Sequence, residues 1–303
     1  MRRLLWTAAA LLLTAGCAAP GREAATEPDV SAPLPLAGAM YFSAAERTAL
    51  RKSEESLIRI CMRERGHEYR IGPAHDARRA AAVNPYTVLS PQWSRSDGYG
   101  LTGEALEGPP EDPNAKMLAA LPEAEREDWQ KALLGSLDDH MKISLPSGRT
   151  VSYDPGSCAQ QARDEVYGRN WPELRYTVED LSNEVIRRTL DSADFREVEK
   201  GWARCMADLG HSYASLEDPR KEILDRLARA KGDRDRVLAV GDRELDLAED
   251  DLSCQISTDT HRRIAGVQAR AEEPVRAKAG KDLDRFQQAK RTALSRLPGL
   301  AAS

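Results

Sequence analysis

The residues of this chain best suited to chemistry are cysteines and histidines, and two of each recur in one phrase used twice. Cys61-Met62-Arg63-Glu64-Arg65-Gly66-His67-Glu68-Tyr69 and Cys205-Met206-Ala207-Asp208-Leu209-Gly210-His211-Ser212-Tyr213 both read C-M-x-x-x-G-H-x-Y. One further cysteine follows each copy, Cys158 after the first and Cys254 after the second. Two chemistries compete for these groups. Cys61, His67, Cys205 and His211 make a Cys2His2 set of the kind that holds zinc. Oxidation would instead join the four cysteines in two disulfides and leave the histidines as packing residues. The C-x5-H spacing is not a usual zinc spacing, and a zinc set would orphan Cys158 and Cys254. With Cys17 set aside as the N-terminal lipid site argued below, the exported body keeps an even count of four cysteines, which favours disulfides. Four cysteines permit three pairings and sequence alone does not fix one; the duplication favours Cys61 with Cys158 and Cys205 with Cys254. No metal and no cofactor is expected.

Export is argued from the N-terminus. Met1-Arg2-Arg3 precedes an apolar run from Leu4 to Leu13 broken by Thr7, then Thr14-Ala15-Gly16-Cys17. A basic start, a short apolar stretch and small residues before the break form a secretory signal over residues 1–16, too short for a spanning helix of the mature protein. The cysteine after Ala-Gly resembles the bacterial lipobox, with Thr14 at the place where Leu is usual. That resemblance implies lipid on Cys17, palmitate included, and a protein anchored to the outer face of the cytoplasmic membrane. Without Arg2 and Arg3 the chain carries 42 Lys and Arg against 49 Asp and Glu. Such an acidic body argues against a nucleic-acid partner, since phosphate binding rests on clustered positive charge.

The elements that must position the repeated phrase read as helices. Only three Phe and 31% charged residues indicate a core of Leu, Ala, Val and Ile. Residues 17–40 are rich in Ala, Pro and Glu and read as a flexible tether. Ser43-Ala44-Ala45-Glu46 is a capping box opening a helix that ends in the first phrase, where Gly66 suits a left-handed C-cap. Phe195, Val198, Trp202, Cys205, Met206 and Leu209 step by three and four, a buried stripe delivering the second phrase. Each phrase is expected to turn from helix into a short strand, with His67 and Tyr69, or His211 and Tyr213, on one face. Between residues 71 and 122, repeated Gly and Pro signals mark a turn-rich insertion. Glu123 to Leu134 reads as a helix, Lys142 to Tyr153 as a hairpin around Pro146-Ser147-Gly148, and Ala159 to Tyr167 as a helix. Residues 222–230 and 237–297 read as helices, the last one long, kinked or divided at Pro274. The fold class is mainly α with a small β component: two disulfide-stapled repeats, residues 41–190 and 191–303, and a long C-terminal helix.

No catalytic constellation emerges. The chain has no G-x-S-x-G elbow, no H-E-x-x-H, no Walker loop and no dinucleotide fingerprint. Asp138 and Asp139 near His140, and Glu249, Asp250 and Asp251 before Cys254, read as runs that any acidic helical protein carries. Together the first phrase, Asn84-Pro85-Tyr86, Gly98-Tyr99-Gly100, the hairpin running into Gly156-Ser157-Cys158, Tyr167-Gly168, Trp202-x-x-Cys205-Met206 and Leu247-Ala248-Glu249-Asp250-Asp251-x-x-Cys254 resemble uncharacterised secreted lipoproteins of high-GC actinobacteria. Ser157 between Gly156 and Cys158 departs from that pattern. The resemblance implies an address and a scaffold, with no activity to carry over. The expected function is non-catalytic binding of a partner protein, a cell-wall component or a small ligand outside the membrane, with Tyr86, Trp93 and Tyr99 as candidate contact surface, although burial in the protein's own core weighs more for these aromatics than a contact role. An envelope hydrolase with an unrecognised site and a structural spacer are the alternatives.

Overall fold

The computed structural model describes residues 32–72, 84–108, 111–136 and 140–300. The stretch read as a signal, Cys17 as the expected lipid site and the Asp138–Asp139 pair lie outside the described residues.

The first repeat begins where Leu36 and Ala39 are buried, with α1 (Pro35–Gly38) a single turn whose Leu36 and Ala37 take left-handed angles. Residues expected to belong to a tether are therefore part of the body from about Pro33 onward. Ser43 accepts from the Glu46 amide while Glu46 returns to the Ser43 amide, and this closed capping box starts α2 (Ala44–Glu64). The turn-rich stretch is a series of short helices, α3 (Pro91–Asp97), α4 (Leu101–Glu107) and α5 (Ala115–Ala120), followed by α6 (Glu123–Leu134). The hairpin of β1 (Met141–Ser144) and β2 (Thr150–Tyr153) pairs Ile143 with Val151. Asp180 clamps its turn by accepting from the Ser147 amide and hydroxyl, each at 2.8 Å, and from Arg149 at 2.9 Å. Then α7 (Cys158–Tyr167) packs on α2. A small cluster of Ile58, Met62, Trp129, Ala132, Cys158 and Ala162 forms the core of this repeat.

The second repeat is reached through α8 (Trp171–Leu190), whose Trp171, Leu174, Val178, Leu181 and Val185 are buried. Its elements are α9 (Ala193–Asp208), α10 (Asp218–Ala230) and α11 (Arg234–Ser257). Trp202, Met206, Ile223, Leu247 and Leu252 share a core with Tyr86, Leu89, Tyr99 and Leu101 of the turn-rich stretch. That stretch, which precedes the first disulfide's second cysteine in sequence, thus packs on the second repeat.

The last helix, α12 (Thr260–Leu300), runs through Pro274. The expected break is instead at Thr258 and Asp259, where Asp259 takes φ +54°. Thr258 Oγ1 donates to the Cys254 carbonyl at 2.6 Å, and its amide does so at 3.1 Å. Ser257, Thr258, Asp259 and Thr260 carry short polar side chains that compete for backbone groups, so four such residues in a row end a helix more readily than one proline that packing can hold. The C-terminal helix packs back along α8 with Val275, Ala279 and Phe286 buried. Among the described residues no helix is long and apolar enough to cross a membrane.

Candidate functional site

The repeated phrase folds the same way twice. Met62 and Met206 are fully buried, and each accepts at its carbonyl from the histidine amide five residues on, at 2.9 Å in both copies. The glycine amide closes the inner bond, from Gly66 to the Arg63 carbonyl and from Gly210 to the Ala207 carbonyl, each at 3.0 Å. This double closure requires a left-handed residue, and Gly66 and Gly210 have φ +84° and +90°. The chain then leaves the helix without forming a strand, so the expected strand is absent at both corners among the described residues.

All four cysteines among the described residues are oxidised, Cys61 with Cys158 and Cys205 with Cys254, each pair with Cα atoms 5.6 Å apart. The bonds remove the thiolates that a Cys2His2 site would need. The histidines instead face carboxylates, His67 Nε2 at 3.4 Å from Asp128 and His211 Nε2 at 2.8 Å from Asp250. The tyrosines anchor each corner to a glutamate. Tyr69 donates to Glu55 at 2.8 Å and Tyr213 to Glu222 at 2.5 Å, and burial together with those carboxylates raises both phenols well above their ordinary range.

The aromatic contact surface expected from sequence is largely interior. Tyr86 and Tyr99 are each 1% exposed, whereas Trp93 is 39% exposed and remains on the surface. Tyr86 donates to Gln268 at 2.9 Å, and burial pushes its phenol up to about 12. Tyr99 donates to Asp251 at 2.9 Å, and Trp202 Nε1 and Gln255 Nε2 donate to the other oxygen of the same carboxylate at 2.8 and 2.9 Å. Gln255 in turn accepts the Leu89 amide at 2.9 Å, and Glu244 accepts the Leu101 and Thr102 amides at 2.9 and 2.8 Å. These polar groups of α11 and α12 stitch an irregular segment onto the core, satisfying backbone groups that no sheet or long helix serves. Burial pushes the Asp251 carboxyl up to about 6, against the lowering by its three donors and by His211. Sequence reasoning read Asp251 as part of a charged run. Its signal was position: it lies three residues before Cys254, on the buried stripe with Leu247, Ala248 and Leu252.

Open to solvent beside the first corner is a cleft of about 550 Å3, lined by Arg65, His67, Asp128, Lys131, Asp154 and Gly156 among others. Arg65 is fixed by donating to the Gly156 carbonyl at 2.6 Å and the Ala132 carbonyl at 3.4 Å. Asp154 is fixed by accepting the Ser136 and Gly156 amides at 2.8 and 2.6 Å. The Ser136 amide first, then that of Gly156 and the charges of Arg65 and Lys131, hold its carboxyl below the usual range. A preorganised cation and anion thus stand side by side, with Lys131 adding a second positive charge. At the second corner Leu209 replaces Arg65. The cleft-lining residues include no serine, threonine or cysteine, and the fixed pair of opposite charges offers charge recognition. Sequence reasoning missed Arg65, Lys131 and Asp154, which three separate segments bring together. Among the described residues no group of three or more His, Cys, Asp or Glu side chains is placed to hold a metal ion.

No family model, no curated protein and no solved structure matches the chain.

Proposed function

We propose that the chain is an exported lipoprotein, anchored through Cys17 to the outer face of the cytoplasmic membrane, whose stapled helical body is a binding module. The observation that carries the binding role is the cleft at the first corner, where Arg65 and Asp154 are held by backbone partners in fixed, opposite-charge positions. Charges positioned in advance spare a ligand the cost of ordering them, which favours recognition of a peptide-like group carrying both amine and carboxylate. A partner protein or a cell-wall peptide offers that chemistry. His67 and His211 pair with different aspartates on different helices, an arrangement suited to holding the corners. The long α12 is packed along its length against the body, which counts against a projecting spacer.

The binding role is tested by photo-crosslinking in cells from a benzoylphenylalanine placed at Lys131, with the same probe at Arg229 as control. One reproducible partner captured from position 131 alone supports it. No adduct at 131, or the same adducts from 229, overturns it. The anchor is tested separately: Cys17→Ser should abolish incorporation of an alkyne fatty acid and release the chain from membranes, and retained lipid label would refute the assignment.

A further inference from the structure

The two disulfides share a motif but not a leaving group. In each bridge the phrase cysteine, Cys61 or Cys205, is partly exposed, and its partner, Cys158 or Cys254, has no exposed surface. An external thiolate therefore reaches the same position of both bridges, at Cys61 Sγ or Cys205 Sγ. The sulfur that must leave differs. Cys158 is the first residue of the ten-residue α7, capped by the Ser157 side chain and with no acidic residue in its first turn. The positive end of a helix lowers a thiol's pKa, and a thiol of lower pKa leaves faster and leaves its bridge more oxidising. Cys254 lies in the last turn of α11, which carries no basic residue there, with Asp250 and Asp251 one turn before it. That setting disfavours a departing thiolate. Arg65, four residues after Cys61, adds positive charge on the first bridge's side, where its counterpart is Leu209.

We propose that Cys61–Cys158 is a thiol-exchange site, opened by a dithiol partner protein that attacks Cys61, while Cys205–Cys254 is a permanent staple. One thiolate of the dithiol attacks Cys61 Sγ. A mixed disulfide forms as the Cys61–Cys158 bond breaks, and the electron pair departs on Cys158 Sγ. The second thiol, once deprotonated, attacks the dithiol's own sulfur and expels the Cys61 thiolate, which takes up a proton. The chain gains two electrons and the dithiol becomes a cyclic disulfide. Opening this bridge unties the end of α2 from the start of α7, the helices that Arg65 directly follows and Gly156 closely precedes at the cleft. The exchange chemistry does not depend on what the cleft binds.

The test uses the full chain recovered in detergent from the envelope, in native buffer. It is exposed to dithiothreitol for graded times, quenched with iodoacetamide, and each cysteine's alkylation is read by peptide mass spectrometry. We expect a species with only Cys61–Cys158 open to accumulate, its opening at least about fivefold faster than that of Cys205–Cys254. In equilibrium titrations the two reduction constants should differ about tenfold, or ~30 mV for a two-electron couple. With glutathione as the probe, the trapped mixed disulfide should sit on Cys61. Equal rates, simultaneous opening without the singly reduced species, earlier opening of Cys205–Cys254, or glutathione on Cys158 would each overturn the proposal.

Discussion

Asp251 joins burial, hydrogen bonding and pH at one residue. Its carboxylate takes one bond from Tyr99 on one oxygen and two, from Trp202 and Gln255, on the other. An asparagine keeps this pattern if its carbonyl faces Trp202 and Gln255 and its amide donates to Tyr99, whose hydroxyl then accepts. Asp251→Ala instead leaves buried donors unpaired and should cost ~3–5 kcal/mol. Because burial pushes the folded carboxyl up to about 6, above the unfolded value near 4, the folded state binds the extra proton. The stabilisation from this group is fully present below about pH 4 and is lost as pH rises through about 6. Urea melts between pH 4.5 and 7 should therefore show a loss of stability with rising pH that is absent in Asp251→Asn. An identical slope in both proteins would remove Asp251 as its source. The roles of Tyr86 and Tyr99 were not legible in the sequence for a related reason: their acceptors, Gln268 and Asp251, are 182 and 152 positions away. Nothing local distinguishes a tyrosine that will meet a buried acceptor from one that will face a ligand.

Helix ends were the most legible elements, because their signals are local. The Ser43 capping box and the Gly66 and Gly210 corners form as short-range chemistry dictates. α6 spans Glu123–Leu134, the range that reads as a helix in the sequence. The break after α11 was misplaced because a proline was weighed above four consecutive short polar residues. α8 has no counterpart in the sequence reading, although Trp171, Leu174, Val178, Leu181 and Val185 form a regular stripe with Pro172 in the helix's first turn. The absent strands at the corners have a physical cause, since a segment becomes a strand only beside a partner. The glycines allow a graded test. A β-carbon at Gly66 or Gly210 would meet nothing within 4 Å, so each alanine variant bears only the conformational cost, about 1 kcal/mol and equal in the two copies. At Gly98, with φ +59°, the same atom would lie 2.7 Å from Glu244 Cγ, displacing the carboxylate that holds the start of α4. Gly98→Ala should thus cost roughly 2–4 kcal/mol. Chemical denaturation of the three variants checks the ordering, and a Gly98 variant as mild as the other two would contradict it.

At the scale of the molecule, α12 joins cores that the sequence presents as separate repeats. Its Ile264 and Val267 enter the core of the second repeat, Phe286 enters the α8 core, and Ala293 meets Leu50 and Val166 beside the first repeat. The duplication of the corner was visible, but this spine was not, because a solvated charged face and a packed apolar stripe alternate along the same helix and periodicity does not name the partner. Phe286 is the largest fully buried side chain described on it, stacked on Trp171 with ring centroids 4.9 Å apart, and Trp171 stacks in turn on Tyr167 at 4.4 Å. Phe286→Ala removes the ring and leaves a cavity between α8 and α12, a change that costs ~3–5 kcal/mol. If α12 couples the repeats, that loss is felt at both ends. Trp129 reports on the first repeat and Trp202 on the second, so fluorine labelling of the tryptophans follows each repeat by its own NMR signal during urea unfolding. Both signals should change at one midpoint in the parent chain, and at one lower midpoint in the variant. Disulfides kept intact in both samples ensure that the shift reports packing. Separate midpoints in the parent chain would mean that the two repeats fold independently and that α12 merely lies against them.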